Sequence, residues 1–364
     1  MDIYGVVFHN VKSIKLSLNA RVYYAIVAIA IAIAFLFAAW LPNMISGASL
    51  TITTNDNQNT KVSVGRHPLT GFPVYEQTGL PQVFGVMIDN NIEAWPQVGL
   101  DKAFLVFEAP VEAGISRFLA FFSDEQEVKK IGPVRSARPY FLNWNNELDA
   151  LYAHVGGSGA ALDEITSGGT FDLNQYWLDD YFWRALNRYA PYNVYTSTEL
   201  LGSYVKNREQ AGLTPGRLYE TWKFKDAEFS EIAEVKTFSV TFNAPIYVAQ
   251  WKFDSKSKRY LRFQNKSAHL MEDGTQISAD NIVVVVTEVK ILDEIGRRSV
   301  RTIGEGKVFV FRDGKKLIGT WKKESQSNRL RFYDSDGVEF ELNAGVTWVE
   351  VIPDESDLEL GFWF

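Results

Sequence analysis

The sequence predicts an α+β protein: a mixed α/β domain, then a β-rich small barrel or sandwich, with one transmembrane helix in front. Three observations predict it. Residues 22–41 are twenty positions without a charge. Residues 66–217 mix apolar runs of strand length with capped helical patterns. Beyond Phe238 nearly every signal is a short strand, punctuated by Asp273-Gly274, Asp313-Gly314 and Asp336-Gly337. Asp-Gly between alternating segments marks a hairpin, and many short strands at close spacing suggest a barrel or sandwich.

The elements follow in order. At 1.5 Å per residue, a helix over 22–41 spans a bilayer core of about 30 Å. Tyr23, Tyr24 and Trp40 stand at its ends, where interfacial aromatics belong. Residues 1–21 carry Lys12, Lys15 and Arg21 against Asp2, a net +2, which places the N-terminus in the cytoplasm and the rest outside. The rival reading is a cleaved signal peptide cut near Ser46-Gly47-Ala48, but the apolar run exceeds the usual signal core of about 7–15 residues. Residues 42–65 are rich in Asn, Thr and Ser and read as a flexible tether.

From Arg66 the chain becomes globular. Strands are expected over 83–88, 103–111 and 117–122, a helix over 139–147, a strand over 151–155 and a helix after Ser158. Thr196-Ser197-Thr198-Glu199 reads as a capping box opening a helix to about Glu209. The first domain is expected over 66–217 and the β-rich domain over 218–353. Residues 354–364 form an acidic tail that ends Gly361-Phe362-Trp363-Phe364.

Composition narrows the function. The chain has no cysteine, which excludes disulfides, thiol catalysis, zinc–cysteine sites and a lipid-modified cysteine. His9, His67, His154 and His269 are scattered without metal spacing, so no metal or other cofactor is expected. The formal charge of −7 leaves −9 beyond residue 21, against a nucleic-acid partner.

Polar side chains are densest over 131–158. Gly132-Pro133 is a turn, and Pro139 suits the first turn of a helix. Arg135, Ser136 and Arg138 fall just before that helix, where backbone N–H groups already favour anions. Two guanidinium forks there would clamp a carboxylate or phosphate. The alternative is that each arginine pairs with Asp89, Glu108 or Glu112. His154 ends a strand that runs into Gly156-Gly157-Ser158, and it reads as either a core residue or part of the site. Ser158 is a natural N-cap. The same glycines approach a nucleophile elbow, with Ala160 in the last glycine's place and His269 as the one downstream histidine. Asp89 and Asn90 close a strand, a favourable place for a site. The stretch from Trp177 to Trp183 is aromatic, as a core or a ligand platform would be.

Several phrases carry a resemblance. They include His67-Pro68-Leu69-Thr70-Gly71, Val86-Met87-Ile88-Asp89-Asn90, Arg117-Phe118, Ile131-Gly132-Pro133-Val134-Arg135-Ser136-Ala137-Arg138 and His154-Val155-Gly156-Gly157-Ser158. Asn187-Arg188, Pro191 to Ser197, Gly319-Thr320-Trp321 and Gly345-Val346-Thr347-Trp348-Val349 continue the set. Together they resemble the YerB-like family of envelope proteins, a pair of N- and C-terminal domains of unknown function. The resemblance implies an extracytoplasmic protein held at the membrane, often as a lipoprotein, and it supplies no catalytic residues. The expected function is a ligand-binding or adaptor module near the cell wall, with the membrane and a wall fragment or envelope protein as partners. The expected site is Asp89, Asn90, Arg117, Arg135, Ser136, Arg138, His154, Gly156, Gly157 and Ser158. The alternative is a hydrolase of wall or glycan material, using Ser158 or carboxylates such as Asp89 with Glu108 or Glu112.

Overall fold

The computed structural model describes residues 63–364, apart from 77–78, 214–216, 229–232, 243 and 362–364. The expected cytoplasmic segment, the helix over 22–41 and nearly all of the tether lie outside the described residues. Among the described residues no helix is long and apolar enough to cross a membrane.

In chain order the first half supplies strands β1 (Val83–Asp89), β2 (Leu105–Pro110), β3 (Ser116–Ser123), β4 (Leu151–His154) and β5 (Asp172–Asn174). A short pair follows, β6 (Trp183–Arg184) and β7 (Val194–Tyr195). Helices α1 (Pro139–Asn146), α2 (Gly159–Thr166) and α3 (Thr198–Gln210) are interspersed. The second half supplies β8 (Thr237–Val240), β9 (Ala249–Asp254) and β10 (Arg259–Gln264). Then come β11 (Asn281–Val286), β12 (Gly304–Arg312), β13 (Lys315–Lys323), β14 (Arg331–Tyr333), β15 (Thr347–Ile352) and β16 (Leu358–Leu360).

Ten of these strands form one sheet, in the order β14-β13-β12-β11-β15-β2-β3-β1-β4-β5. The second half is β-rich as expected, but it does not close on itself as a barrel. Its strand β15 pairs in parallel with β2 of the first half, with Glu350 opposite Glu108. β8, β9, β10 and β16, with the two-residue strands Ser267–Ala268 and Ser278–Ala279, form a second, six-stranded sheet. Part of the acidic tail also joins it, since Leu358–Leu360 pairs with Phe238–Val240.

Alternation along the central strands explains why both halves share the sheet. On one face Phe84, Val86, Ile88, Phe118, Ile282 and Val284 pack with Trp251 and Tyr260 of the small sheet. The same core takes Leu201 and Val205 of α3. On the other face Val83, Met87, Phe107, Phe121, Val283 and Val349 pack with Phe141 and Trp144 of α1. A strand covered on both faces is apolar at most positions, and burial is complete along β1, β2, β3 and β15.

Local signals are met with small shifts. Asp313 and Gly314 both have positive φ, 55° and 72°, and join β12 to β13 as a two-residue hairpin. The cap of α3 is Ser197, whose hydroxyl accepts from Leu200 N, one residue later than the capping box places it. Thr196 is buried instead and donates to Tyr181 O at 2.9 Å.

Candidate functional site

β1, β4 and β5 are parallel, so their carboxyl ends lie on one edge. Asp89, His154 and Asn174 are the last residues of these strands. In α/β sheets such an edge is where ligands bind, because the loops leaving it diverge around a crevice. The loop over 131–138 threads between β1 and β4 there. Arg135 N donates to Met87 O, and Arg135 O accepts from Val155 N. Ala137 bridges Gly157 on the far side. The sequence-predicted loop and strand ends are therefore brought together by the backbone.

The arginines are paired, but unequally. Arg138 grips Glu112 through Nε and a terminal nitrogen, both at 2.7 Å. Burial pushes the Glu112 carboxyl up, yet its bond to Arg138 wins and holds it below the usual range. Arg117 stands opposite Asp89 on β3 and donates to Ser136 O at 2.9 Å. Its burial and the neighbouring Arg135 and Arg138 lower its pKa, and Asp89 and Glu112 oppose them. Arg135 forms an ion pair with Asp89, Nε to Oδ2 at 2.7 Å, and its side chain stays 23% exposed. Its guanidinium lies 5.4 Å from the centre of the Tyr192 ring. Among the described residues neither its terminal nitrogens nor the Ser136 hydroxyl makes a hydrogen bond. Three guanidiniums, Arg117, Arg135 and Arg138, thus face Asp89 and Glu112, and the next carboxylate along the edge, Asp172, is held by His154.

The remaining expected residues build the frame. His154 is fully buried, and both ring nitrogens face acceptors: Nδ1 to Gly156 O at 2.7 Å and Nε2 to Asp172 at 2.6 Å. Gly156 has φ of 59°, and a Cβ there would lie 2.5 Å from the Tyr176 ring. Its N–H donates to Asn174 Oδ1. Ser158 caps α2, accepting from Ala161 N. The serine-nucleophile arrangement is not built, because His269 lies in the interior with Arg262 and Gln97.

Asn90 belongs to that interior cluster rather than to the open edge. Its amide donates to Ser116, and its oxygen accepts from Trp95, Gln97 and Gln264. At the centre, Arg262 binds both oxygens of Glu108, at 3.0 and 2.8 Å, and Trp348 and Ser116 donate to the same carboxylate. Trp251 donates to Glu350 at 2.8 Å. Burial, then the charge of Glu108, hold Glu350 well above the usual carboxyl range. Burial and Arg262 hold His269 far below the usual histidine range.

Sequence reasoning missed Asp172, Asn174, Tyr176 and Tyr192 around the edge, and Arg262 and Glu350 inside. A nearly continuous apolar run with one acid inside it, as in Thr347–Ile352, was the available signal for Glu350. The aromatic stretch divides. Phe182 is core, but Trp177 is 80% exposed and Trp183 36%. Among the described residues no group of three or more acids and histidines is gathered as a metal would need.

Comparison with known proteins agrees with this architecture. The profile for "Protein of unknown function (DUF3048) N-terminal domain" matches residues 69–211, and that for its C-terminal domain matches 238–349. YerB of Bacillus subtilis (strain 168), which bears a provisional lipoprotein designation, is 32% identical over 79% of this chain and 86% of its own. A crystal structure of the YerB protein from Bacillus subtilis matches with a TM-score of 0.71 at 28% identity, over 82% of this chain and 99% of that one.

Proposed function

From the fact that this chain belongs to the DUF3048 family, we propose that it is a membrane-held extracytoplasmic module that binds an anionic component of the cell envelope. The observation that carries the reading is Arg135. It stands at the carboxyl ends of parallel strands, in a cluster of three guanidiniums, and its terminal nitrogens have no hydrogen-bond partner among the described residues. A guanidinium fork left open in this way takes a carboxylate or phosphate with two parallel bonds. Arg138 and Arg117, tied to Glu112 and Ser136, hold the loop that presents it.

Membrane attachment rests on the apolar run 22–41, since the sequence has no cysteine to carry a lipid. Protease added to spheroplasts is expected to digest the region beyond residue 62, and protection of that region overturns the topology. A hydrolytic role finds no support in the carboxylates. Glu108 is fully buried, and Asp89 and Glu112 are engaged by arginines rather than open to a groove. Binding is tested by sedimenting the full-length protein, in detergent, with cell walls of the source organism before and after their anionic polymers are stripped. Arg135→Gln is expected to weaken binding to native walls by about tenfold or more, the value of one charge-assisted bond. Equal binding to native and stripped walls, or by the variant, refutes the site.

A further inference from the structure

The edge that carries Arg135 continues into a surface that the anion site does not use. Between residues 175 and 192 five large side chains stand in solvent: Tyr176, Trp177, Trp183, Leu186 and Tyr189. Exposure of single apolar residues is ordinary, but a group drawn from so short a stretch, with two indoles, marks an interaction surface. The surface is continuous with the site at two points. Tyr176 packs on Gly156, where any larger residue would strike its ring, and Tyr192 lies under the Arg135 guanidinium. The rings are also held. Trp183 stacks on Tyr195 at 6.1 Å, Trp177 N donates to Asn174 O, and Arg188 ties the loop to Ala94 O and Pro96 O.

We infer that residues 175–192 form a stacking surface for the sugar rings of an anionic polysaccharide whose charged group is bound by Arg135. The inference rests on the anion-binding reading and adds the class of polymer. Its ground is the chemistry of the strip. Four of the five exposed residues are aromatic, and only Leu186 is aliphatic. The same short stretch also carries Gln175, Asp179, Asp180, Arg184 and Asn187, so hydrogen-bonding groups lie among the rings. The core of a protein–protein interface is depleted in charge, which this strip is not. A pyranose presents a C–H face to a ring and hydroxyls around its rim, and that pattern matches flat aromatics set among polar groups. Asp179 and Asp180 balance Arg184 and Arg188, so the strip itself is neutral and the charge preference falls to Arg135.

The same wall sedimentation of the full-length protein tests this, with Trp177→Ala and Tyr189→Ala beside Arg135→Gln. Both aromatic side chains are exposed, so the melting temperature should not move. Each truncation is expected to weaken binding about three- to tenfold, a typical value for one aromatic contact. Native walls should also shift the tryptophan emission of the wild type, and Trp177→Ala should lose most of that shift. If Arg135→Gln weakens binding while both aromatic variants bind like wild type, the glycan inference falls and the anion site stands. If the wild type does not sediment with native walls, both fall. If the aromatic variants lose self-association rather than wall binding, the surface is a contact between copies of the chain and the inference is overturned.

Discussion

Replacing Glu350 by Gln should change how stability depends on pH. Glu350 and Glu108 are register neighbours on β15 and β2, both fully buried, and Arg262 is the cation between them. Two carboxyls to one guanidinium leaves one of them without a counter-charge. The Glu350 Oε2 atom is buried with no donor among the described residues, as expected if it carries a proton and gives it to Glu108. In the unfolded chain a glutamate loses that proton near its ordinary pKa of about 4.3. In the fold Glu350 keeps it to well above that value. Between the two the native state binds one more proton than the unfolded state. Stability is therefore fully present at low pH and falls as pH rises, by about 1.4 kcal/mol per pH unit for this one group. Glutamine keeps a donor for Glu108 and an acceptor for Trp251 but cannot titrate. Urea unfolding of residues 61–364, which form one compact unit, should show Glu350→Gln gaining stability relative to wild type as pH rises from 5. Parallel pH profiles for the two proteins, or a variant less stable throughout, would refute the shared proton.

Three further outcomes are expected. Arg138→Ala should lower stability by about 1.5–3 kcal/mol, because it removes a partly buried two-bond grip on Glu112, and Glu112→Ala in the same chain should cost less than the two effects added. The check is the urea midpoint of the two single variants and the double variant. Gly319→Ala should cost about 2 kcal/mol or more, since a Cβ there would lie 2.0 Å from Tyr333 O on the neighbouring strand; an unchanged melting temperature would contradict the packing of β13 against β14. A fragment of residues 218–353 should fail to fold cooperatively by circular dichroism, because β15 would lose β2 as its partner and expose its edge.

The sequence by itself determined the local pieces of this protein. The turn at Asp313-Gly314 was legible because few residue pairs accept two successive positive φ values. Pro139 at the head of α1 and Ser158 as the cap of α2 were legible because a helix start needs them within a few residues. The phrases over 131–138 and 154–158 marked a site region, and the backbone does bring them to one edge. Only the tertiary structure decided the partners. Strand signals name no neighbour, so β15 beside β2 could not be read, nor the sheet shared by both halves. Ion pairs are also non-local: Glu112 and Arg138, His154 and Asp172, and Glu108 and Arg262 lie 26, 18 and 154 residues apart. Exposure is likewise a property of the packed whole, which is why Phe182 and Trp177, five positions apart in one aromatic stretch, end one buried and the other in solvent.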